Sequence, residues 1–326
     1  MLDHLRPPTP YDPTAPAYKE WLHLNVFDHA SGTIGIVNAT LQGTPDSPSA
    51  CAVGTALVDS PGIGWRGGLA VQEATQAGVG LCSIAMDVLA IAADTRTGAV
   101  SSSVDLPEAG LRCVVEADPL GKGLVAMAPS DFGSGWISWQ ALPRLRARGQ
   151  LGACVLTDAT AYLDHNWGRW HWGEAWTAWQ WGVFHGVTST VVLSRLSDRT
   201  HRRSGATMLE VRTGDRQRRF VGKMVDINWQ LPMAAPLFRV PGALAALHPD
   251  RARPRLPRSM VVTAGDGHDR IELEFTSRSA AQLVLADPAV RGYSFLYEFT
   301  GTFACTGRLS GVPYNDSGLA VTERVE

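Results

Sequence analysis

Short runs of strand-forming residues recur along almost the whole chain, and this recurrence constrains the fold most strongly. The runs are rich in Val, Ile, Thr and Leu, and Gly, Pro, Asp and Ser separate them. They return roughly every ten residues, a spacing that is typical of β-sandwiches and β-barrels. Because no long helical period interrupts this pattern, the sequence predicts an all-β protein with little helix.

The length of the chain indicates more than one domain. Its 326 residues suffice for about two domains of roughly 150 residues each. Residues 137–148 (ISWQALPRLRAR) are the best helix candidate, and Pro143 lies inside them. We expect one or two short helical turns there, bridging two β domains. The predicted parts are an extended arm at residues 1–17, a first β domain at residues 18–150 and a second β domain at residues 151–326.

Charge and cysteine content argue against several classes of function. The net charge is −2, so nothing favours binding to nucleic acid or to an anionic membrane surface. Residues 195–219 hold eight arginines, which we interpret as polar hairpin tips rather than a nucleic-acid arm. The five cysteines are scattered without CxxC spacing, which favours reduced, buried thiols. We see no signal-peptide pattern and no membrane span, and we expect a cytoplasmic protein.

One stretch combines acid, imidazole and indole side chains. Residues 162–182 read YLDHNWGRWHWGEAWTAWQWG and hold six of the eleven tryptophans. Side chains of an extended strand alternate between its two faces. A direct relay between Asp164 and His165 would therefore need a bulge. The alternation predicts Tyr162, Asp164 and Asn166 on one face, with Leu163, His165 and Trp167 on the other.

A carboxyl group beside such indoles has a chemical use. Burial disfavours the charged form of a carboxyl group, which can then keep a proton near neutrality and donate it. Protonation of a C=C bond creates a carbocation, and the faces of tryptophans stabilise cations. Asp164 is thus a candidate acid, and His165 or Asn166 could orient water. The alternative is that Asp164 and Asn166 only satisfy backbone groups at a turn that ends in Gly168.

Three short motifs resemble those of a known family. Residues 162–168, YLDHNWG, closely resemble the Y-x-D-H-N-W-G motif of the carotenoid 1,2-hydratase (hydroxyneurosporene synthase) and AttH-like family. Residues 297–301, YEFTG, resemble its C-terminal Y-x-E-x-T-G segment, and Glu20-Trp21 is similar to its N-terminal E-W-W-Y stretch. The resemblance implies two tandem lipocalin-like β-barrels. It also implies a cofactor-free enzyme for a hydrophobic small molecule, in which Asp164 protonates an isoprenoid C=C bond before water adds.

The resemblance leaves the reaction open. Relatives of the same tandem fold include tocopherol cyclases and decalin-forming Diels–Alderases of polyketide pathways, so fold alone does not fix the chemistry. We consider hydration or cyclisation begun by Asp164, a pericyclase that folds a linear polyene, and a non-catalytic lipid carrier. Residues 20–23 replace the family's aromatic run with Glu-Trp-Leu-His, which favours a smaller polyene or polyketide over a long carotenoid.

The predicted site combines the central motif with later aromatic and acidic residues. The predicted catalytic residues are Asp164 and His165, and the predicted substrate contacts are Tyr162, Asn166, Trp167, Trp179, Trp181, Tyr297 and Glu298. Tyr297 and Glu298 point to opposite faces of a regular strand, so one of them at most lines a given cavity. Glu298 is either a second acid or base, or the partner of an arginine. His171 and His185 match no familiar set of metal ligands, and we predict no metal site.

Overall fold

The chain folds into two compact units made of β-strands, as seen in a computed structural model. The structure describes residues 2–7, 17–44, 50–121, 123–230, 237–241, 256–287 and 292–326. The first unit comprises residues 1–174 and 286–293, and the second comprises residues 175–285 and 294–326. This confirms the predicted all-β class with two lipocalin-like β domains in succession.

The first unit is one curled antiparallel sheet. In the described part of the chain its path runs β4-β3-β2-β1-β13-β11-β9-β8-β7-β6-β5, and β10 and β12 pair with β11. The strands are β1 (Tyr18–Asp28), β2 (Thr33–Gln42), β3 (Cys51–Ser60), β4 (Gly64–Glu73), β5 (Gly78–Gly80), β6 (Ser83–Ala85), β7 (Leu89–Ala93), β8 (Val100–Leu106), β9 (Leu111–Pro119), β10 (Val125–Phe132), β11 (Gly135–Leu151), β12 (Cys154–Val155) and β13 (Ala159–Arg169).

The second unit is a curled sheet of the same kind. Its path among the described residues runs β17-β16-β15-β14-β23-β22-β21-β20-β18, and β19 pairs in parallel with β21. The strands are β14 (Ala178–Gly186), β15 (Ser189–Ser197), β16 (Ser204–Thr213), β17 (Arg216–Val221), β18 (Val225–Gln230), β19 (Leu237–Arg239), β20 (Ser259–Gly265), β21 (Arg270–Asp287), β22 (Gly292–Leu309) and β23 (Val312–Val325).

Helix is confined to single 3₁₀ turns in the described ranges. These turns are Ala74–Gln76, Pro107–Ala109 and Gly222–Met224. Over those same ranges, no helix has the length and apolar character that a membrane crossing requires.

The pattern of buried and exposed side chains shows which strands have one face in water and which are shielded from water on both faces. In β8 and β9 every second residue is buried and its neighbours are exposed, the pattern of a sheet with one wet face. In β13 nearly every residue is buried, and in β14 all of them are, so both faces of these strands are shielded from water. Polar side chains on β13 and β14 therefore need partners inside the protein or from a ligand.

The division between the units falls later than the sequence predicted. We expected a boundary near residue 150 and placed the DHNWG motif in the second domain. The structure divides the chain after Glu174, because β13 pairs with β1 on one side and with β11 on the other. The motif is therefore part of the first unit.

The predicted helical bridge at residues 137–148 is wrong, since these residues belong to strand β11. The first part of β11 pairs with β10 and the last part pairs with β9. The pairing of β11 with β13 shifts register between Leu142 and Leu145. Pro143 lies in this irregularity, where its missing N–H group removes no ladder hydrogen bond.

The predicted N-terminal arm is only partly described. Residues 8–16 of the predicted arm at 1–17 lie outside the described residues. Within residues 2–7, Leu2 is buried in the core of the first unit, and the Leu5 backbone N–H donates to the Leu81 carbonyl at 2.8 Å. This described part is therefore attached to the first unit.

Asp316 on β23 closes the turn between β14 and β15. Its carboxylate accepts hydrogen bonds from the backbone N–H groups of Val187, Thr188 and Ser189 at 3.0, 3.1 and 2.9 Å. Burial raises the pKa of Asp316, but the hydrogen bonds from Ser189, Ser317 and the turn amides outweigh burial and lower the pKa below its ordinary value. The charged carboxylate therefore stabilises the fold.

We predict that Asp316→Ala lowers the free energy of unfolding at neutral pH by about 2 kcal/mol, because the turn amides lose their acceptor. The folded pKa of Asp316 lies below the unfolded one. Its stabilisation is therefore complete above about pH 4 and is lost as the pH falls through the folded pKa. Urea unfolding of both proteins from about pH 7 down to about pH 2 measures this. The difference between them should shrink with acid, and a constant difference would contradict the prediction.

Candidate functional site

Strand β13 divides the DHNWG motif between two faces of its sheet, as the alternation predicts. It pairs with β1 over its whole length, so that Asp164 lies opposite His23 and His165 lies opposite Leu22. Leu22 and Leu163 belong to the core of the first unit. Residues that share their side of the sheet, His165 among them, therefore face that core, and Asp164 faces the other way.

On the core face, His165 is bound to a buried acid on β1. The Nε2 atom of His165 lies 2.7 Å from Oε1 of Glu20, and both side chains are fully buried. Glu20 also accepts hydrogen bonds from the Tyr18 hydroxyl at 2.5 Å and from the Arg6 backbone N–H at 2.9 Å. A carboxylate only accepts, so Nε2 of His165 carries a proton. Glu20 thus holds the imidazole in one orientation.

The field of Glu20 reaches other groups in the core. Burial and the Glu20 carboxylate raise the pKa of the Tyr18 hydroxyl. Burial, with a further contribution from Glu20, raises the pKa of the Cys82 thiol to about 12. Both groups therefore stay neutral at physiological pH. Trp167 completes this cluster, with its ring centroid 4.8 Å from that of His165.

On the opposite face, two side chains of the same motif hold the carboxyl group of Asp164. The Tyr162 hydroxyl donates to Oδ2 at 3.0 Å, and Nδ2 of Asn166 donates to Oδ1 at 2.6 Å. All three side chains are at most 7% exposed. These are i±2 neighbours on one strand face, so a regular strand is sufficient to assemble them. Asp164 is therefore a buried and oriented carboxyl group.

The strands beside β13 extend this face with polar groups and indoles. His23 and Asn25 of β1 lie opposite Asp164 and Tyr162, and Trp21 and Trp139 lie on either side of Asn166. Several buried polar atoms of the first unit have no hydrogen-bond partner among the described residues, and Asn25 is the one of them that lies beside Tyr162. Asn25 is fully buried, and neither atom of its amide has a hydrogen-bond partner among the described residues. An unpaired buried amide is costly and is ready to bind a ligand.

The structure places Asp164 and His165, the two predicted catalytic residues, on opposite faces of the sheet, as the alternation predicted. The two residues are neighbours in sequence, but β13 has no bulge at this point, so their side chains lie on opposite faces of the sheet. Asn166 contacts Asp164, whereas His165 binds Glu20. The same alternation places Trp167 on the His165 side, away from Asp164.

The tryptophans do not form one continuous wall. Trp170 is fully buried and makes edge-to-face contacts with Trp21, Phe132 and Trp172 at centroid distances of 5.7, 5.3 and 5.7 Å. The Lys19 ammonium group lies 5.4 Å from the Trp170 ring and donates to the Trp170 carbonyl at 2.6 Å. This part of the aromatic stretch is a packed cluster of the first unit.

Trp179 and Trp181 lie in the second unit, with the predicted Glu298. Trp179 donates through Nε1 to Glu323 at 2.8 Å, and Glu298 lies opposite Glu323 in the strand pairing. Carboxylate oxygens of the two glutamates are within 4.8 Å of each other. Two charges this close repel, and a proton or a cation between them relieves the repulsion. The pair is a second acidic feature beside indoles.

Tyr297 lies on the opposite side of β22 from Glu298, as the sequence predicted. It is fully buried in the core of the second unit, and Nε2 of Gln282 donates to its hydroxyl at 3.1 Å. Glu298 lies on the side of Trp181, which pairs opposite Glu323. Tyr297 therefore belongs to the interior of the second unit.

Most of the side chains that β1 contributes to the candidate site were not predicted from the sequence. Glu20 and Trp21 were used only as marks of a family, and His23, Asn25 and Glu323 were left out. The signal was present on the Lys19 face of β1, where every second position holds a polar residue or a tryptophan: Lys19, Trp21, His23 and Asn25. Such a stripe on a strand that is buried on both faces indicates a polar surface inside the protein.

The glycine of the motif is required by close packing and not by backbone conformation. A Cβ atom at Gly168 would lie 2.2 Å from the Trp136 carbonyl oxygen and 2.8 Å from the Trp170 ring. The residue is within β13, not at a turn. The alternative interpretation of the motif as a turn ending in Gly168 is therefore wrong.

The two units together share their fold with solved structures. An AttH-like protein of Nitrosomonas europaea aligns with a TM-score of 0.67 at 16% identity, over 98% of this chain and 98% of its own. Kievitone hydratase of Nectria haematococca aligns with a TM-score of 0.60 at 14% identity, over 99% of this chain and 93% of its own. CghA, solved with Sch210972, aligns with a TM-score of 0.57 at 11% identity, over 95% of this chain and 89% of its own. These likenesses confirm the fold that the motifs implied. No protein-family model and no curated protein sequence matches the chain.

We predict that Gly168→Ala lowers the free energy of unfolding by about 3 kcal/mol, because the new methyl group would overlap backbone atoms of β11 that cannot move away. Chemical denaturation measures this change. Gly121→Ala is the matched control, since a Cβ atom there meets nothing within 4 Å. Equal effects of the two substitutions would show that close packing does not explain the motif glycine.

We predict that Asn25→Leu raises the free energy of unfolding by about 1 kcal/mol, because it replaces an unpaired buried amide with an apolar group of similar size. The matched control is Asn38→Leu. The Asn38 amide is paired with His23 and Thr40, so its loss should destabilise the protein. Thermal and urea unfolding test both variants. Destabilisation by Asn25→Leu would mean that Asn25 serves the fold and not a ligand.

Proposed function

We propose that this protein is a cofactor-independent enzyme that protonates or polarises a C=C bond of a hydrophobic substrate and so causes hydration or cyclisation. The observation that carries the proposal is the carboxyl group of Asp164, buried and held on both oxygens by Tyr162 and Asn166. A fixed acid in a dry site is what proton transfer to carbon requires.

The proposed reaction starts with the protonated form of Asp164. The π electrons of the C=C bond form a new C–H bond with its proton, which leaves a carboxylate on Asp164 and a cation on the neighbouring carbon. For hydration, a water oxygen attacks that carbon and the released proton returns to Asp164. For cyclisation, a second C=C bond attacks instead, and a proton lost from carbon restores the acid.

The surroundings of Asp164 support this chemistry. Trp21 and Trp139 flank Asn166 on the same face of the sheet, and indole faces stabilise a nearby cation. Asn25 offers an unpaired amide beside Tyr162 that can bind a carbonyl or a water molecule. Tyr162 and Asn166 fix the direction in which the carboxyl group points, which contributes to catalysis through orientation.

The solved structures of the same fold agree with the proposal without deciding between its branches. One is a hydratase by name, kievitone hydratase, and another is CghA, solved with Sch210972. Shared fold supports an enzyme of this general kind but does not transfer a substrate. The substrate class we propose is an unsaturated isoprenoid or polyketide of modest size.

A pericyclase is the second candidate, and the neutral donors on the Asp164 face favour it. The unpaired amide of Asn25 and the second N–H of the Asn166 amide are hydrogen-bond donors that can activate a carbonyl group. In that case the protein would act by folding a linear polyene into a reactive conformation, and no proton would reach carbon. The third candidate, a lipid carrier, would bind the same ligand without product.

Mass spectrometry of a reaction in oxygen-18 water separates these candidates. Purified protein is incubated with an extract of a strain that lacks it. A product that is heavier by one labelled water molecule indicates a hydratase, and a product of unchanged mass with a new retention time indicates a cyclase or pericyclase. A metabolite that co-purifies without any product indicates a carrier and would overturn the proposal of an enzyme.

We predict that Asp164→Asn lowers turnover by about 10³-fold while substrate binding survives, because the amide keeps the shape of the side chain but has no acidic proton. The rate of product formation and the dissociation constant for substrate are the two measurements. Asp105→Asn changes an exposed acid of the same unit and should leave both unchanged. Near-normal turnover in Asp164→Asn would exclude the proton-transfer mechanism and favour the pericyclase.

A further inference from the structure

A row of polar side chains crosses the interior of the second unit. Strand pairing places Gln180 of β14 opposite Arg195 of β15 on one side and opposite Arg324 of β23 on the other. The same row continues to Thr207 of β16 and to Tyr297 of β22. Directly opposite residues of antiparallel strands point to the same face. Five neighbouring strands thus present polar groups side by side.

This row faces the apolar core of the second unit. Alternation puts Gln180 on the same side of β14 as Phe184, and Arg195 on the same side of β15 as Leu193. Phe184, Leu193 and Tyr297 are members of the core cluster. The sequence interpretation of Arg195 as part of a polar hairpin tip is therefore wrong. Beyond this row the same face carries Leu193, Leu209 and Phe299 of the core cluster, so a polar end of the interior is followed by a mainly apolar region.

Two members of this row and one neighbouring side chain have polar groups without partners among the described residues. Gln180 is 1% exposed, and its amide oxygen has no hydrogen-bond partner among the described residues. Within those residues, the guanidinium group of Arg195 makes no ion pair and no hydrogen bond. The Thr322 hydroxyl, two residues from Arg324 on the same face, is also buried and unpaired. Buried polar groups are normally paired, so three unpaired groups together indicate a missing partner.

The electrostatic field at this place is positive. Burial lowers the pKa of Arg195, the Asp226 carboxylate opposes this effect, and the charge of Arg324 adds to it, so that the pKa lies below its ordinary value. Burial, followed by the charges of Arg324 and Arg195, lowers the pKa of His201 to about 3. Arg324 has an ion pair of 3.2 Å with Glu326, which neutralises part of its charge. An anion that reaches Arg195 would therefore gain both charge neutralisation and hydrogen bonds.

We propose that the interior of the second unit is a binding site for the carboxylate group of a mainly apolar small molecule. Arg195 and Arg324 bind the carboxylate oxygens, and the side-chain amide of Gln180 donates from between them after a rotation that exchanges its oxygen and nitrogen. The apolar part of the ligand packs against side chains of the core cluster. Both arginines are partly exposed, so the head group reaches them from solvent.

This site goes beyond the proposed function and is independent of it. Its residues belong to the second unit, whereas Asp164 and its partners belong to the first. It therefore predicts binding without turnover. A carboxylate ligand there would serve as a bound regulator or as cargo. If no carboxylate binds, the proposed role of Asp164 is unaffected, because its own experiments test it.

Calorimetric titration of the full chain with two matched ligands tests the site. The probes are dodecanoate and dodecanol, which share the apolar chain and differ in the charged head group. We expect wild type to bind dodecanoate at least tenfold more tightly than dodecanol, since charge-assisted hydrogen bonds are worth at least that factor. Equal affinity for the two probes, or no binding of dodecanoate, would overturn the proposal without the use of any variant.

A substitution then locates the site. Arg195→Gln should weaken dodecanoate binding about tenfold or more and leave dodecanol binding unchanged. Arg270→Gln is the matched control, because Arg270 is a mostly exposed arginine of the same unit. Circular dichroism and thermal unfolding confirm that each variant is folded, and Arg324→Gln replaces Arg195→Gln if the latter is not. Unchanged dodecanoate affinity in a folded Arg195→Gln protein would place the ligand elsewhere and refute the assignment.

Discussion

The uninterrupted pairing of β13 with β1 is the constraint on which the candidate site depends. Eleven consecutive residues of β1 face eleven of β13 without a register shift. In such a ladder no side chain can change faces, because each residue is fixed by its neighbours' hydrogen bonds. One strand therefore supplies two separate environments. Glu20 and His165 belong to the core of the first unit, and Asp164 belongs to the opposite face.

This separation changes the chemistry that the motif can perform. An acid next to a histidine in a sequence suggests a proton relay. Here, however, the Nε2 atom of His165 lies 2.7 Å from Oε1 of Glu20, and Asp164 is on the other face of the sheet. Asp164 instead accepts hydrogen bonds from two neutral side chains, Tyr162 and Asn166, and lies opposite His23 of β1. The two donors fix the direction of its carboxyl group, from which a proton can pass to a substrate. The geometry therefore argues against a relay between Asp164 and His165.

The sequence predicted features that depend on local periodicity and failed on features that depend on long-range pairing. The alternation through the DHNWG motif and the opposite directions of Tyr297 and Glu298 follow from the strand repeat alone, and both are confirmed. The boundary near residue 150 failed because β13 pairs with β1, more than 130 residues away in sequence. The helix at residues 137–148 failed because the register shift that accommodates Pro143 depends on the neighbouring strands. His23 and Asn25 lie beside the motif only because of the register in which β1 pairs with β13.

Pairing of buried polar groups separates those that serve the fold from those that await a ligand. Glu20 is fully buried and accepts hydrogen bonds from Tyr18, Arg6 and His165, so the chain itself compensates for its burial. Asn25 and Gln180 are buried as deeply but have unpaired amide atoms. Burial alone would place all three in one class. An unpaired buried group costs about 1–3 kcal/mol, and a bound ligand that pairs with it repays that free energy. Asn25 beside Tyr162 and Gln180 beside the two arginines are the positions where the proposed ligands would do so.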